Sequence, residues 1–340
     1  MKKLKVFSII IGLVLVLVLG IGGFFIYRTQ QSLNSLDTNK TSVSKNIDQS
    51  KPFSILLLGA DTGTDGRVDR GNSDTMMLLA LNPQKKTTVA YSIPRDAMAE
   101  MVGDKEKNVQ KINAAYNIGL SKMAKSTVGS LLGVPVDYHV AINMDALEKT
   151  VDFVGGVTVT SDLNVSFDGI TIPKGTHHLN GKEALTYARM RYQDPRGDYG
   201  RQIRQQQILK AVVRKLEQPK YLVKIPDLIK KLGNDISTDL TTSQIDQIVL
   251  KYNGSSKNMD FNQIQGQTAW INGSSYQILP TETMQQASNK LRANLGLSQK
   301  TLDNTETQLN AKNKAFFENE DDTDYNTYGL DKMFYTNNTY

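Results

Sequence analysis

The chain has no cysteine among its 340 residues. That excludes a disulfide framework and cysteine-ligated zinc sites, and it is compatible with export in a bacterium that makes little use of disulfides. Histidine is scarce too. His177 and His178 sit in a Gly-Thr-His-His-Leu stretch that reads as a turn, with no spaced carboxylate beside them. His139 falls in a strand-like run, where a packed histidine is expected. The chain has no G-x-S-x-G elbow, no Walker A loop and no internal repeat. One Asp61-Thr62-Gly63 tripeptide in a helix-rich chain does not make an aspartic protease. Gly63 and Asn72 break the ligand pattern of a calcium loop starting at Asp61.

A net charge of +6 favours anionic partners without choosing among nucleic acid, anionic lipid and pyrophosphate. The N-terminus narrows the choice. Lys2, Lys3 and Lys5 precede an apolar run over 6–27 that ends in an aromatic edge, Phe24, Phe25 and Tyr27. As a helix it spans roughly 33 Å, enough for a bilayer core. A cleaved signal peptide is the alternative, but no A-x-A-like site follows Tyr27. The expected topology is a cytoplasmic tail (1–5), one transmembrane helix (6–27), a polar linker (28–52) and an extracytoplasmic body. That topology argues against nucleic acid as a partner.

The globular part begins at Phe53. Apolar runs over 54–58, 75–81 and 87–93 read as strands, the last two antiparallel across a short Asn-Pro turn. A Gly/Asp loop separates the first two. Residues 111–132 carry a helical pattern, 137–143 alternate like a strand, and 144–154 are again helical. Val157, Val159 and 168–173 read as strands. Asn180 is a candidate N-cap for the next helix. Helices follow over 200–217, 221–232 and 242–252, then a late strand at 276–279 and a last helix over 283–295. Strands alternating with helices predict one mixed-sheet α/β domain, in α-β-α layers, over 53–297. The polar and acidic segment 298–340 reads as a disordered tail.

The chemistry concentrates in residues 189–207, RMRYQDPRGDYGRQIRQQQ, which holds five arginines, Asp194 and Asp198. The guanidinium group is a permanently charged fork suited to phosphate oxygens. On the helix after Gly200, Ile208, Leu209, Val212 and Leu216 form one face, and Arg201, Arg204 and Gln205 continue it at the N-terminal end. A core-facing stripe that turns basic at a helix N-terminus favours an anion. A solvated basic face paired with Asp194 and Asp198 is the competing interpretation. Asp61, Asp74 and Arg95 stand at ends of the apolar runs, where sites gather in α/β sheets. Carboxylates there suit Mg²⁺.

The ordered motifs LLLGAD, SDTMMLL, SIPRD, KINAAYNIG, VGGVTV, LNGKEALTYARMR and D-x-x-R-x-x-R-Q-Q together resemble the LytR-CpsA-Psr family. The resemblance runs from Phe53 to Lys215. It implies a membrane-anchored phosphotransferase outside the cytoplasm of a Gram-positive-type cell. Such an enzyme moves an anionic glycopolymer, of teichoic acid or capsule type, from a polyprenyl pyrophosphate carrier to peptidoglycan, at the N-acetylmuramic acid 6-hydroxyl. By resemblance, Asp61 and Asp74 hold a metal, Mg²⁺ or else Mn²⁺. Arg95, Arg189, Arg191, Arg201 and Gln205 bind the pyrophosphate, and Asp198 or Asp74 is the general base. Asn72 stands where an arginine is expected, with Arg70 as the candidate replacement. Arg196 and Arg204 are expected bystanders. Hydrolysis of the pyrophosphate is an expected side activity. A regulator or a pyrophosphate-lipid scaffold without turnover is the alternative.

Overall fold

The computed structural model describes residues 51–60, 71–241 apart from Glu217 and Val223, Gln244, and 258–332. The expected membrane span, all but the last two linker residues, and the loop with Asp61 and Arg70 lie outside the described residues. So does the expected helix over 242–252, apart from Gln244. Among the described residues no helix is long and apolar enough to cross a membrane.

The chain opens with β1 (Phe53–Ala60), β2 (Ser73–Asn82), β3 (Thr87–Ile93), β4 (Met98–Glu100), β5 (Val109–Lys111) and α1 (Ala114–Leu132). It continues through β6 (Tyr138–Ile142), α2 (Met144–Phe153), β7 (Val157–Ser161), β8 (Val165–Phe167), β9 (Ile170–Ile172), β10 (Gly175–Leu179), α3 (Gly181–Arg189) and α4 (Asp198–Leu216). It closes with α5 (Pro219–Leu222), α6 (Ile225–Leu232), β11 (Ile236–Thr238), β12 (Asn258–Gln263), β13 (Gln267–Ile271), β14 (Ser274–Ile278), α7 (Thr281–Asn294), α8 (Thr305–Lys312) and α9 (Lys314–Glu318).

Among the described residues, the central sheet has the order β11-β6-β1-β2-β3-β12. It is mixed: β1 pairs parallel with β6 and antiparallel with β2, and β3 pairs antiparallel with β2 and parallel with β12. β1 and β2 are continuously apolar because both faces of the sheet are covered. Ile55, Met77, Leu79 and Leu81 join one core with residues of α2, α3, α4 and α6. Their strand neighbours Leu56, Leu58, Met76 and Leu78 join a second core with α1 and α7. The three-layer α-β-α expectation therefore holds. Asn180 caps α3 as expected, in a reciprocal capping box with Glu183.

Four features depart from the sequence expectation. Lys111, expected to start the helix, instead ends β5, which pairs with β4, and α1 is broken at Gly119 and Leu120, the latter at φ 53°. His177 and His178 lie in β10, because the edge of β7 pairs with that segment. β11, β12 and β13 carry too little apolar pattern to be read in sequence, yet they complete sheets. The segment expected to be a disordered tail is folded through residue 332. Leu309, Phe316 and Tyr325 enter a third core with Met98, Val109, Ala269, Ile271 and Ile278. The aromatic rings of Phe316, Phe317 and Tyr325 pack edge to face. The 53–297 body therefore does not end at 297. The β4–β5 and β13–β14 pairs have an apolar face that the later chain covers.

Candidate functional site

The ends of β1 and β3, the start of β2, the end of α3 and the start of α4 converge at one end of the sheet. Gly59 permits this crowding: a Cβ there would stand 2.8 Å from the Thr75 Cβ, and the β1–β2 register shifts beside it.

Four charged groups interlock there. Arg95 Nη1 donates to Asp74 Oδ2 at 2.8 Å. Arg201 Nη2 lies 2.6 Å from Asp198 Oδ1 and donates to the Asp74 carbonyl at 3.0 Å. Arg95 Nε lies 4.0 Å from Asp198 Oδ1 and 3.5 Å from Asp96 Oδ2. Gln202 Nε2 donates to Asp198 Oδ2 at 3.0 Å. Burial disfavours both cations. Asp74, Asp96 and Asp198 outweigh it at Arg95, whose value rises, whereas at Arg201 burial dominates and the value falls. Both remain cations, since guanidinium does not lose its proton in proteins. Arg95 Nε, Arg201 Nε and Ser73 Oγ are buried without a hydrogen-bond partner among the described residues. Buried donors without partners are uncommon in folded proteins, and at a cleft they suit an incoming anion.

These groups border a cavity of about 420 Å³ that runs between the sheet and α2–α4. Its wall is apolar along Leu57, Met77, Val140, Leu147, Leu209 and Val212. Asp74, Arg95, Arg189, Arg191, Arg201 and Gln205 line it as well. Arg189 stacks over the Phe167 ring at 5.3 Å and Arg191 over the Tyr192 ring at 5.7 Å. Neither makes an ion pair with a carboxylate among the described residues. Gln205 Nε2 reaches the Ala188 carbonyl at 3.4 Å. The structure thus gathers Asp74, Arg95, Arg189, Arg191, Arg201, Gln205 and Asp198 at one place, though Asp198 stands behind the arginines and does not line the cavity. Nothing in the sequence spacing marks Phe167 or Tyr192, which supply the arginines' rings.

Arg196 and Arg204 are not part of the cavity wall, but they hold the turn that carries Arg191. Asp194 has no exposed side-chain surface and pairs with Arg204, which is almost fully buried. It also takes Arg196 Nε at 2.8 Å, and Arg196 Nη1 reaches Asp162 Oδ2 at 2.7 Å. Arg204 donates in addition to the Tyr187 and Met190 carbonyls. Burial opposes the Asp194 charge, but hydrogen bonds from Arg196 and Arg204 prevail and lower its value to about 2. Gly200 packs straight onto this carboxylate; a Cβ there would lie 2.0 Å from Asp194 Oδ2.

Asp74 meets Arg95 through Oδ2, and among the described residues no group of three or more His, Cys, Asp or Glu could hold a metal ion. Asp74 is the one expected metal ligand among the described residues. Asp61, the other expected ligand, lies outside the described residues. Asn72 Oδ1 accepts from Asn117 Nδ2 at 3.2 Å, on the α1 side of the site.

An apolar channel whose mouth is lined by arginines defines a protein that takes a ligand with an anionic head and an apolar tail. The chain belongs to the LytR_cpsA_psr family, whose profile matches residues 23–293. It is 37% identical over 306 residues to a polyisoprenyl-teichoic acid–peptidoglycan teichoic acid transferase TagU of Bacillus cereus, covering 87% of this chain and 99% of that one. Among solved structures it is similar to Bacillus subtilis TagV, with 31% identity and a TM-score of 0.64 over 74% of this chain and 99% of that one. It is also similar to TagT bound to LIIa-WTA, with 28% identity and a TM-score of 0.61 over 76% of this chain and all of that one.

Proposed function

We propose that this chain is a transferase that moves an anionic glycopolymer of teichoic acid type from a polyprenyl pyrophosphate carrier to peptidoglycan. The observation that carries this assignment is the joining of an apolar channel to an arginine mouth in one cavity. An isoprenoid tail matches the channel and a diphosphate matches the mouth. The relatives act, by name, on a polyisoprenyl-linked teichoic acid and peptidoglycan.

The chemistry then follows from the residues. Arg95, Arg189, Arg191 and Arg201 hold the diphosphate and offset the charge that builds on the transferring phosphoryl group and the departing polyprenyl phosphate. The acceptor hydroxyl oxygen, that of the N-acetylmuramic acid 6-position, attacks the phosphorus next to the polymer. The bond from that phosphorus to the bridging oxygen breaks, polyprenyl phosphate leaves, and a phosphodiester forms. Asp74, which lines the cavity, would take the hydroxyl proton. Asp198 contacts Arg201 and Gln202 and keeps Arg201 and Arg95 aimed at the diphosphate. A Mg²⁺ at Asp61 and Asp74, bound with the substrate, would add charge neutralisation at the phosphates. Water entering in place of the sugar would give pyrophosphatase activity. The apolar run 6–27 would anchor the domain at the outer membrane surface, beside its lipid substrate.

Arg95→Ala tests the assignment in a transfer assay with purified lipid-linked polymer and peptidoglycan. The expected outcome is loss of transfer with a folded protein. Full activity in that variant rules the assignment out.

A further inference from the structure

Trp270 is the chain's single tryptophan, and it is 57% exposed. It lies on β13 opposite Ser275 of β14, while Thr268 stands opposite Gln277. Strand alternation sends Ala269 and Ile271 into the third core and leaves Thr268, Trp270, Ser275 and Gln277 on the outer face.

Gln277 ties that outer face to the strand end of Arg95 and the helix start of Asp198. The Gln277 N–H donates to the Asp96 carbonyl at 2.8 Å, and Gln277 bridges to Ala97, two residues beyond Arg95. Gln277 Oε1 accepts from the Tyr199 hydroxyl at 2.8 Å, and its Nε2 donates to Thr268 Oγ1 at 2.9 Å. Tyr199 directly follows Asp198. Burial raises the Tyr199 hydroxyl to about 12, so it stays a donor at neutral pH. Gln277 is the diagonal neighbour of Trp270, about 7–8 Å away across the hairpin.

The other edge of β13 sets the charge. The Trp270 N–H donates to the Thr323 carbonyl at 2.9 Å. That contact brings Asp322 and Asp324 alongside, next to the exposed Glu320 and Asp321. An acidic border repels a polyphosphate chain and leaves a neutral glycan unopposed. A flat indole flanked by hydroxyl and amide groups matches a pyranose ring, whose C–H face packs on the aromatic while its substituents hydrogen-bond around it.

We propose that the outer face of the β13–β14 hairpin, centred on Trp270 with Thr268, Ser275 and Gln277, is the acceptor-glycan subsite. It takes the neutral N-acetylhexosamine units that flank the sugar being modified. This inference rests on the transfer function proposed above.

The lone tryptophan makes the test direct. The N-acetylglucosamine hexamer is titrated into the full-length protein in detergent, with intrinsic fluorescence as the readout and polyglycerol phosphate as the anionic control. A saturable change with the hexamer and none with the polyphosphate is expected. No response to the hexamer, or a response to the polyphosphate alone, overturns the proposal. In the transfer assay Trp270→Ala should raise the KM for peptidoglycan acceptor about tenfold, equal to about 1.4 kcal/mol, with Trp270→Phe retaining most of the affinity. The KM for lipid-linked donor should not change. An unchanged acceptor KM in a wild-type-active preparation refutes the subsite alone, whereas a wild type that transfers nothing refutes the function beneath it.

Discussion

Asp194→Asn should destabilise the domain strongly, although Asp194 lies outside the cavity. The Asp194 carboxylate is fully buried between Arg204 and Arg196, and Arg204 has almost no exposed surface. Neutralising it leaves the Arg204 guanidinium buried among neutral acceptors, the Tyr187 and Met190 carbonyls and the new amide, with no counter-charge. Breaking a buried pair from one side costs about 3–5 kcal/mol because the remaining charge is uncompensated. For a domain of this size that is a fall in Tm of roughly 6–20 °C, readable by near-UV circular dichroism at pH 7. The pH dependence gives a second check. The Asp194 value is depressed from an ordinary 3.8 to about 2 in the folded state. A depressed carboxylate contributes its stability in full above its unfolded value and loses it as pH falls through the folded one. The difference in Tm between wild type and Asp194→Asn should therefore be constant above about pH 5 and close between about pH 4 and pH 2. A Tm shift below about 2 °C at pH 7, or a gap that widens on acidification, refutes the structural role given to this pair.

Four further outcomes follow from the geometry. Leu209→Trp places an indole in the apolar channel and should raise the KM for lipid-linked donor at least tenfold, with Tm within a few degrees of wild type; unchanged donor kinetics would separate the channel from the lipid. Asp74→Asn should abolish turnover, whereas Asp198→Asn should chiefly weaken donor binding, a contrast visible in kcat against KM from steady-state transfer. Phe316→Ala, in the core that the C-terminal segment completes, should cost about 3–5 kcal/mol in urea unfolding; a cost under 1 kcal/mol means that the segment is not part of the domain. Chelation with EDTA should lower transfer, and Mg²⁺ should restore it.

Much of the fold was legible because its central strands are buried on both faces. β1, β2 and β3 show up as uninterrupted apolar runs, and the Asn-Pro turn shows that the last two are antiparallel. β11 and β12 sit at the sheet edges, where IST has one apolar residue and NMDFNQ alternates over only two, Met259 and Phe261. The C-terminal segment escaped notice for a different reason. Its buried Leu302, Leu309, Phe316 and Tyr325 are too widely spaced to form a helical stripe, and acidic residues between them give the composition of a tail. The arginine site was legible in part. Helix periodicity placed Arg201 and Arg204 inward on α4, as the structure has them. It could not say that Arg201 would meet Asp198 and Asp74 while Arg204 would be locked onto Asp194. That division depends on the turn at 190–197, which folds Asp194 back against Gly200.

The most direct test of the central claim is a structure of this chain with a polyprenyl diphosphate. The account predicts the diphosphate within hydrogen-bond distance of Arg95, Arg189, Arg191 and Arg201, with the isoprenoid lying along Leu57, Leu147 and Leu209. A diphosphate bound away from Arg95 and Arg201, or an isoprenoid outside the channel between the sheet and α2–α4, would contradict it.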